Sequence, residues 1–202
     1  MLREEIITAA SQYTSTDNAL GLWREIEAIG REAGRHYHTL DHFEHLLQVL
    51  TPHRNKFSDW PVVVFAIAYH DAVYNPMKSD NEERSAALAE QRLAQIGFPQ
   101  EKIDRCREFI LATKTHLPSD DEINLFTDAD LSILGADPET YTRYTQQVRR
   151  EYAFYPDFLY NPGRKKLLTH FLTMDSIFKT ESFRVRYEDQ ARTNLETELQ
   201  RL

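Results

Sequence analysis

Leu22, Trp23, Ile26 and Ile29 recur at helical intervals, and so do Leu40, Phe43, Leu46, Leu47 and Leu50. That spacing gathers each set on one side of a helix, which predicts amphipathic helices over about residues 18 to 31 and 39 to 51. Pro61 to Tyr69, PVVVFAIAY, is apolar throughout and suits a buried strand as well as a buried helix. Helix is the better reading, because nothing else in the chain supplies comparable partner strands and a lone strand leaves its backbone hydrogen bonds unmade. From Ser79, SDNEERSAALAEQRLAQIG reads as a helix closed by Gly97, with capping boxes Ser79 to Glu82 and Asp80 to Glu83 at its start. Pro99 opens the next helix, to about His116. Asp137-Pro138 and Asn161-Pro162 each set an N-cap residue before a proline at the first helical position, the second ahead of a helix to about Phe178. Tyr187, Ala191, Leu195 and Leu199 follow at intervals of four on a last helix. The expected fold is all-α.

Composition narrows the class. A chain of 202 residues fits one domain and can bury a core without staples. Its 41% apolar and 28% charged residues suit neither a disordered nor a membrane protein. The longest apolar stretch falls far short of the roughly 20 residues of a membrane span. MLREEIITAA has acids where a signal peptide has a basic-then-apolar ramp, so a cytoplasmic protein away from membranes is expected. The single cysteine, Cys106, has no disulfide or metal-knuckle partner and reads as a small core residue. A net charge of −8 repels a phosphate backbone, and the basic residues are scattered except for Arg164-Lys165-Lys166. A nucleic acid polymer is therefore not expected. A small phosphorylated molecule is compatible with that charge, since a pocket holding a metal and a few cations is positive inside an acidic protein.

Three short segments carry candidate chemistry. In RHYHTLDHFEHLL, His38 and His42 stand four apart, a spacing that serves a metal site, a solvated face or satisfied core groups. His70-Asp71 ends the most apolar helix, where an imidazole beside a carboxylate is costly unless a cation compensates or the pair has reached the surface. Asp128 and Asp130 put two carboxylates in the otherwise apolar stretch LFTDADLSILG, and Asp130 lies toward the side of Leu131 and Leu134.

In this order the segments resemble the HD superfamily of metal-dependent phosphohydrolases, whose pattern is His, then His-Asp, then a distant Asp, all on helices. The resemblance covers about residues 35 to 135, and the wider chain is similar to an uncharacterised bacterial group assigned to that superfamily. It implies a single HD-type domain over 1–202, with a helical core at about 35–135 and a C-terminal helical extension at about 138–202. It also implies one divalent metal ion (Mn, Fe, Co, Ni, Zn or Mg) held by His42, His70, Asp71 and Asp130. YHTLDH resembles the tyrosine-histidine signature of cyclic-nucleotide phosphodiesterases, which makes His38 the proton donor to the leaving group and leaves His42 to the metal. ADLS at 129–132 resembles the segment bearing the last metal aspartate there, favouring Asp130 and casting Asp128 as a partner to a ligand. The chain has no adjacent His-His pair in mid-domain, only His116, so a mononuclear site is expected. Tyr74 stands where the nucleotidase branch has a glutamate; Glu82 or Glu83 is the substitute, with Glu82 preferred.

The implied work is activation of a bound water oriented or deprotonated by Asp71, with His38 as acid. Arg149, Arg164 and Lys165, flanking the aromatic connection EYAFYPDFLYNPG, and His116 are the candidate contacts to substrate. His36, His45, His53 and His170 read as structural, with His45 expected nearest the site. A small phosphorylated, nucleotide-like substrate is the expected partner, as a phosphomonoester or phosphodiester, and a homodimer is allowed. The rival readings are a non-catalytic metal- or nucleotide-binding regulatory domain and a dinuclear-iron HD oxygenase.

Overall fold

A computed structural model describes residues 1–202. It is all-helical, with ten α-helices and no strand. The chain sorts into two compact units, Met1–Thr127 and Asp128–Leu202, and this boundary precedes the 135 or so at which the core was expected to end. The first unit holds α1 (Leu2–Ala10), α2 (Thr16–Ile29), α3 (Leu40–Leu50), α4 (Trp60–Tyr69), α5 (Asn81–Gln95) and α6 (Gln100–Ala112). The boundary falls inside α7 (Asp121–Asp130); α8 (Pro138–Glu151), α9 (Asp157–Thr173) and α10 (Glu181–Arg201) belong to the second unit. No helix is long and apolar enough to cross a membrane.

The ambiguous run PVVVFAIAY is α4, and every residue of that helix except Pro61 is buried. A helix apolar on all sides must be enclosed on all sides, and α1, α3, α5 and α6 pack around it. Enclosing Val63, Val64, Phe65 and Ile67 is worth about 1.5–3 kcal/mol for each larger side chain. At its start Pro61 occupies the first turn and Asp59 accepts from the Val62 N–H. Its C-terminal end delivers His70 and Asp71 from the middle of the core.

Several local expectations are corrected. The capping boxes of α5 do not form: Asp80 lies at φ −118°, ψ 22°, outside the extended conformation an N-cap side chain reaches from, and makes no cap bond. Asn81 closes the turn instead, accepting from the Asn75 N–H and donating to its carbonyl, while Glu83 pairs with Lys114. α6 stops at Ala112, short of His116. Pro118 disfavours helix at Leu117, and His116 takes a left-handed φ of 51°. Asn161-Pro162 does not start a helix, because α9 already begins at Asp157 behind Pro156, the Tyr160 N–H bonding to the Pro156 carbonyl. Pro162 forfeits the bond to the Phe158 carbonyl, and Phe158 is exposed, so water can satisfy that oxygen. α9 ends at Thr173 rather than Phe178.

In the second unit Asp137 caps α8 as the sequence predicts, accepting from the Glu139 and Thr140 N–H groups. A 3₁₀ turn, Leu131–Gly135, lies against α10. A Cβ at Gly135 would come within 2.6 Å of the Tyr187 backbone oxygen, so only glycine permits that approach. Asn194 locks the contact by donating to the carbonyls of Leu134 and Ala136.

Candidate metal centre

His42 sits in the first turn of α3, and His70 follows the last residue of α4, with its N–H still bonded to the Ala66 carbonyl. Both imidazoles are buried, and the Asp71 side chain is 18% exposed. His42 Nε2 lies 3.0 Å from His70 Nε2 and 3.5 Å from Asp71 Oδ2, and His70 Nε2 lies 3.0 Å from the same oxygen. Ligand atoms about 2.1 Å from a common ion stand about 3.0 Å apart at right angles and about 3.4 Å apart at the tetrahedral angle. The triangle therefore has the dimensions of three sites on one coordination sphere, and His42, His70 and Asp71 can hold a metal ion. His70 Nδ1 lies 3.0 Å from the Ile67 carbonyl. An oxygen acceptor there selects the Nδ1–H tautomer, which turns the Nε2 lone pair toward the cluster.

Burial alone would raise the Asp71 carboxyl, but the positive character of His70 and His38 and hydrogen bonds from His42 and His70 outweigh it and hold it well below the usual carboxylate range. A charged carboxylate beside two imidazoles is a donor set that suits borderline divalent ions. Phe43 and Phe126 stand edge-on to His70, with ring centroids 5.4 and 6.3 Å away, and Tyr37 lies 4.9 Å from His42. These rings fix the imidazole planes.

His38 precedes α3 rather than lying on it, yet its ring centroid is 5.8 Å from that of His42 and stacks on Tyr74 at 4.2 Å. Tyr74, at the position where the nucleotidase branch has a glutamate, thus backs the candidate acid. Asp130 is the last residue of α7, half-buried and in the second unit, and the group of three forms within the first unit alone. Glu82 is half-buried in the first turn of α5, and His45 and His116 are half-buried; none belongs to the group. Among the candidate substrate contacts, Lys165 is exposed. Arg164 is buried and bound through Nε and Nη2 to both oxygens of Glu198, at 2.7 and 2.9 Å. Arg149 bonds to Asp157 and to the carbonyls of Tyr152 and Tyr155. Asp128 is fully buried and occupied by Lys179 and Thr180.

Arg35 is the residue the motif did not announce. Buried except for 8% of its surface, it donates through Nη1 to the carbonyls of His38 (3.2 Å) and Asp71 (2.7 Å) and through Nη2 to that of Ala72 (2.8 Å), while Nε meets Glu32. One guanidinium thereby ties the His38 segment to the segment bearing Asp71. Arg35→Gln should weaken divalent metal binding by about 10–100-fold, as loss of a ligand's supporting partner does elsewhere. Arg35→Lys should recover only part of it, because an ammonium cannot reproduce the fork. Titration with Co(II), followed by its absorption bands, checks this; unchanged affinity in Arg35→Gln would remove the clamp from the account. No family model matches the chain, and no curated protein and no solved structure matches it either.

Proposed function

We propose that this chain is a metal-dependent phosphohydrolase of the HD kind, acting on a small phosphorylated, nucleotide-like metabolite as a phosphomonoester or phosphodiester. One observation carries the reading: two imidazole nitrogens and a carboxylate oxygen converge on one place, 3.0 to 3.5 Å from one another. With both imidazoles neutral and their Nε2 lone pairs turned inward, the three atoms form a set that a divalent ion would bind in place of the ring protons. Asp130 is the proposed fourth ligand, on the order of the motif. An ion held by His42, His70 and Asp71 would lower the pKa of a water and set positive charge against a phosphoryl oxygen. Asp71 would orient the attacking water or take its proton, and His38 would give a proton to the departing alcohol as the P–O bond to it breaks. Tyr74, stacked on His38, keeps the donor ring in place.

The test is purified protein with its metal quantified, assayed against a panel of phosphorylated metabolites with added Mn, Co, Ni or Mg, beside Asp71→Ala, Asp130→Ala and His38→Ala. The expected result is about one divalent ion per chain. Asp71→Ala and Asp130→Ala should lose metal and turnover together, and His38→Ala should keep metal while losing about 10²–10⁴-fold in rate. Metal retention with equally poor turnover of every phosphoester by wild type and variants would favour a binding module. Turnover that requires oxygen would favour an oxygenase.

A further inference from the structure

We propose that the second unit carries its own binding site for a small anion bearing a planar ring, with the chemistry of a nucleoside monophosphate. The site is a cavity of about 600 Å³ walled by α8, the start of α9 and the C-terminal part of α10. That volume lies within the roughly 300–1,000 Å³ of small-molecule sites. No residue lining it belongs to the His42, His70 and Asp71 cluster, and the proposal does not depend on the hydrolase reading.

Its polar groups divide into those already committed and those left over. Glu198 is held by Arg164 and also accepts from the Tyr141 hydroxyl, and Arg164 lies 5.4 Å over the Tyr144 ring. The side chains of Arg164 and Glu198 are only 4% and 12% exposed. This pair is a neutral, satisfied base for the site and does not compete for ligand. Arg149 is likewise engaged, and its guanidinium lies 4.7 Å over the Tyr160 ring. Guanidinium on phenol makes a flat, electron-rich and cationic surface of the kind on which a heterocycle stacks.

The hydroxyls of Thr142, Thr193 and Thr197 donate back to carbonyls of their own helices. Each therefore offers the cavity an acceptor and a methyl group, which suits the amino and hydroxyl donors of a base and sugar. Arg150 and Arg201 are exposed lining residues that take part in no ion pair. Among the lining side chains Arg149, Arg150 and Arg201 stand against Asp157 and Glu198, and Glu198 is already neutralised from behind by the buried Arg164, in a chain whose net charge is −8. A local reversal of that kind selects an anion, and the two uncommitted guanidiniums are the groups to take a phosphate.

The experiment is calorimetric titration of the full-length protein with AMP, adenosine and ribose 5-phosphate, in EDTA so that no turnover intrudes. Wild type, His70→Ala and the surface variant Arg150→Glu/Arg201→Glu are compared after circular dichroism shows them folded. AMP should bind saturably, with the same affinity in His70→Ala. Adenosine, ribose 5-phosphate and the charge-reversed variant should each bind at least about tenfold more weakly, the scale of a lost charge-assisted contact. Absence of saturable AMP binding, or unchanged affinity after charge reversal, overturns the proposal. Binding lost in His70→Ala overturns it too, by placing the nucleotide at the metal cluster, an outcome that leaves the hydrolase reading standing.

Discussion

His70→Ala should yield a folded protein that takes up no divalent ion. His70 Nε2 is the vertex nearest both other ligand atoms, 3.0 Å from each, so its removal leaves His42 Nε2 and Asp71 Oδ2 as a two-point contact across 3.5 Å. Losing a direct ligand should cost more affinity than the roughly 10–100-fold that follows loss of an outer partner. Thermal melting reads the same effect through linkage. An ion that binds only the folded state at a hundred times its Kd adds about 2.7 kcal/mol, so wild type should melt higher with added Mn, Co, Ni or Zn and the variant should not respond. Alanine also leaves a hole beside Phe43 and Phe126 and removes the bond to Ile67, so metal-free His70→Ala should melt below metal-free wild type. His70→Gln keeps more of the volume and separates that packing cost from the loss of metal. A variant that binds metal and melts as wild type does would remove the cluster from the protein's chemistry.

The parts of this site legible in the sequence are those written in composition and order. His70 and Asp71 stand out because a polar pair ends a wholly apolar helix, and His42 because its motif precedes that pair. The helical nature of α4 was reachable by elimination, since no strand partner exists. Arg35 was not legible: its partners are backbone carbonyls at 38, 71 and 72, and any residue supplies a carbonyl. Nor was the state of Arg164, whose flanking aromatics suggested a substrate contact while its partner, Glu198, lies 34 positions on. Asn161-Pro162 misled for a different reason. The dipeptide is a sound start signal in isolation, but Pro156-Asp157 starts the helix first, and a proline past the first turn costs one hydrogen bond that exposed backbone can recover from water.

Asp128 shows the same limit with the largest consequence for stability. Its chemistry alone could not separate a carboxylate near a metal from a carboxylate that organises a helix end. The structure gives it no exposure and four donors making five contacts: the Lys179 N–H, reaching both oxygens at 2.9 and 3.0 Å, the Lys179 ammonium at 3.1 Å, and the Thr180 N–H and hydroxyl at 2.7 Å. Thr180 precedes α10 and makes no side-chain cap of its own; Asp128 fixes the chain's entry into that helix through the Lys179 and Thr180 N–H groups and neutralises Lys179, whose side chain is only 7% exposed. Asp128→Ala strands a buried ammonium and two backbone donors, a loss of about 3–5 kcal/mol. Asp128→Asn keeps the shape but presents an NH₂ to a ring of donors, and should cost about 1–3 kcal/mol. Adding Lys179→Met to Asp128→Asn should make the double variant less unstable than the sum of the two, because no charge is then left unpaired. Urea denaturation measures all of these, and metal content per folded chain decides the role: an anchor for the start of α10 predicts instability with any bound metal retained. Asp128→Ala with full stability and no metal would mean that the carboxylate serves the metal centre instead.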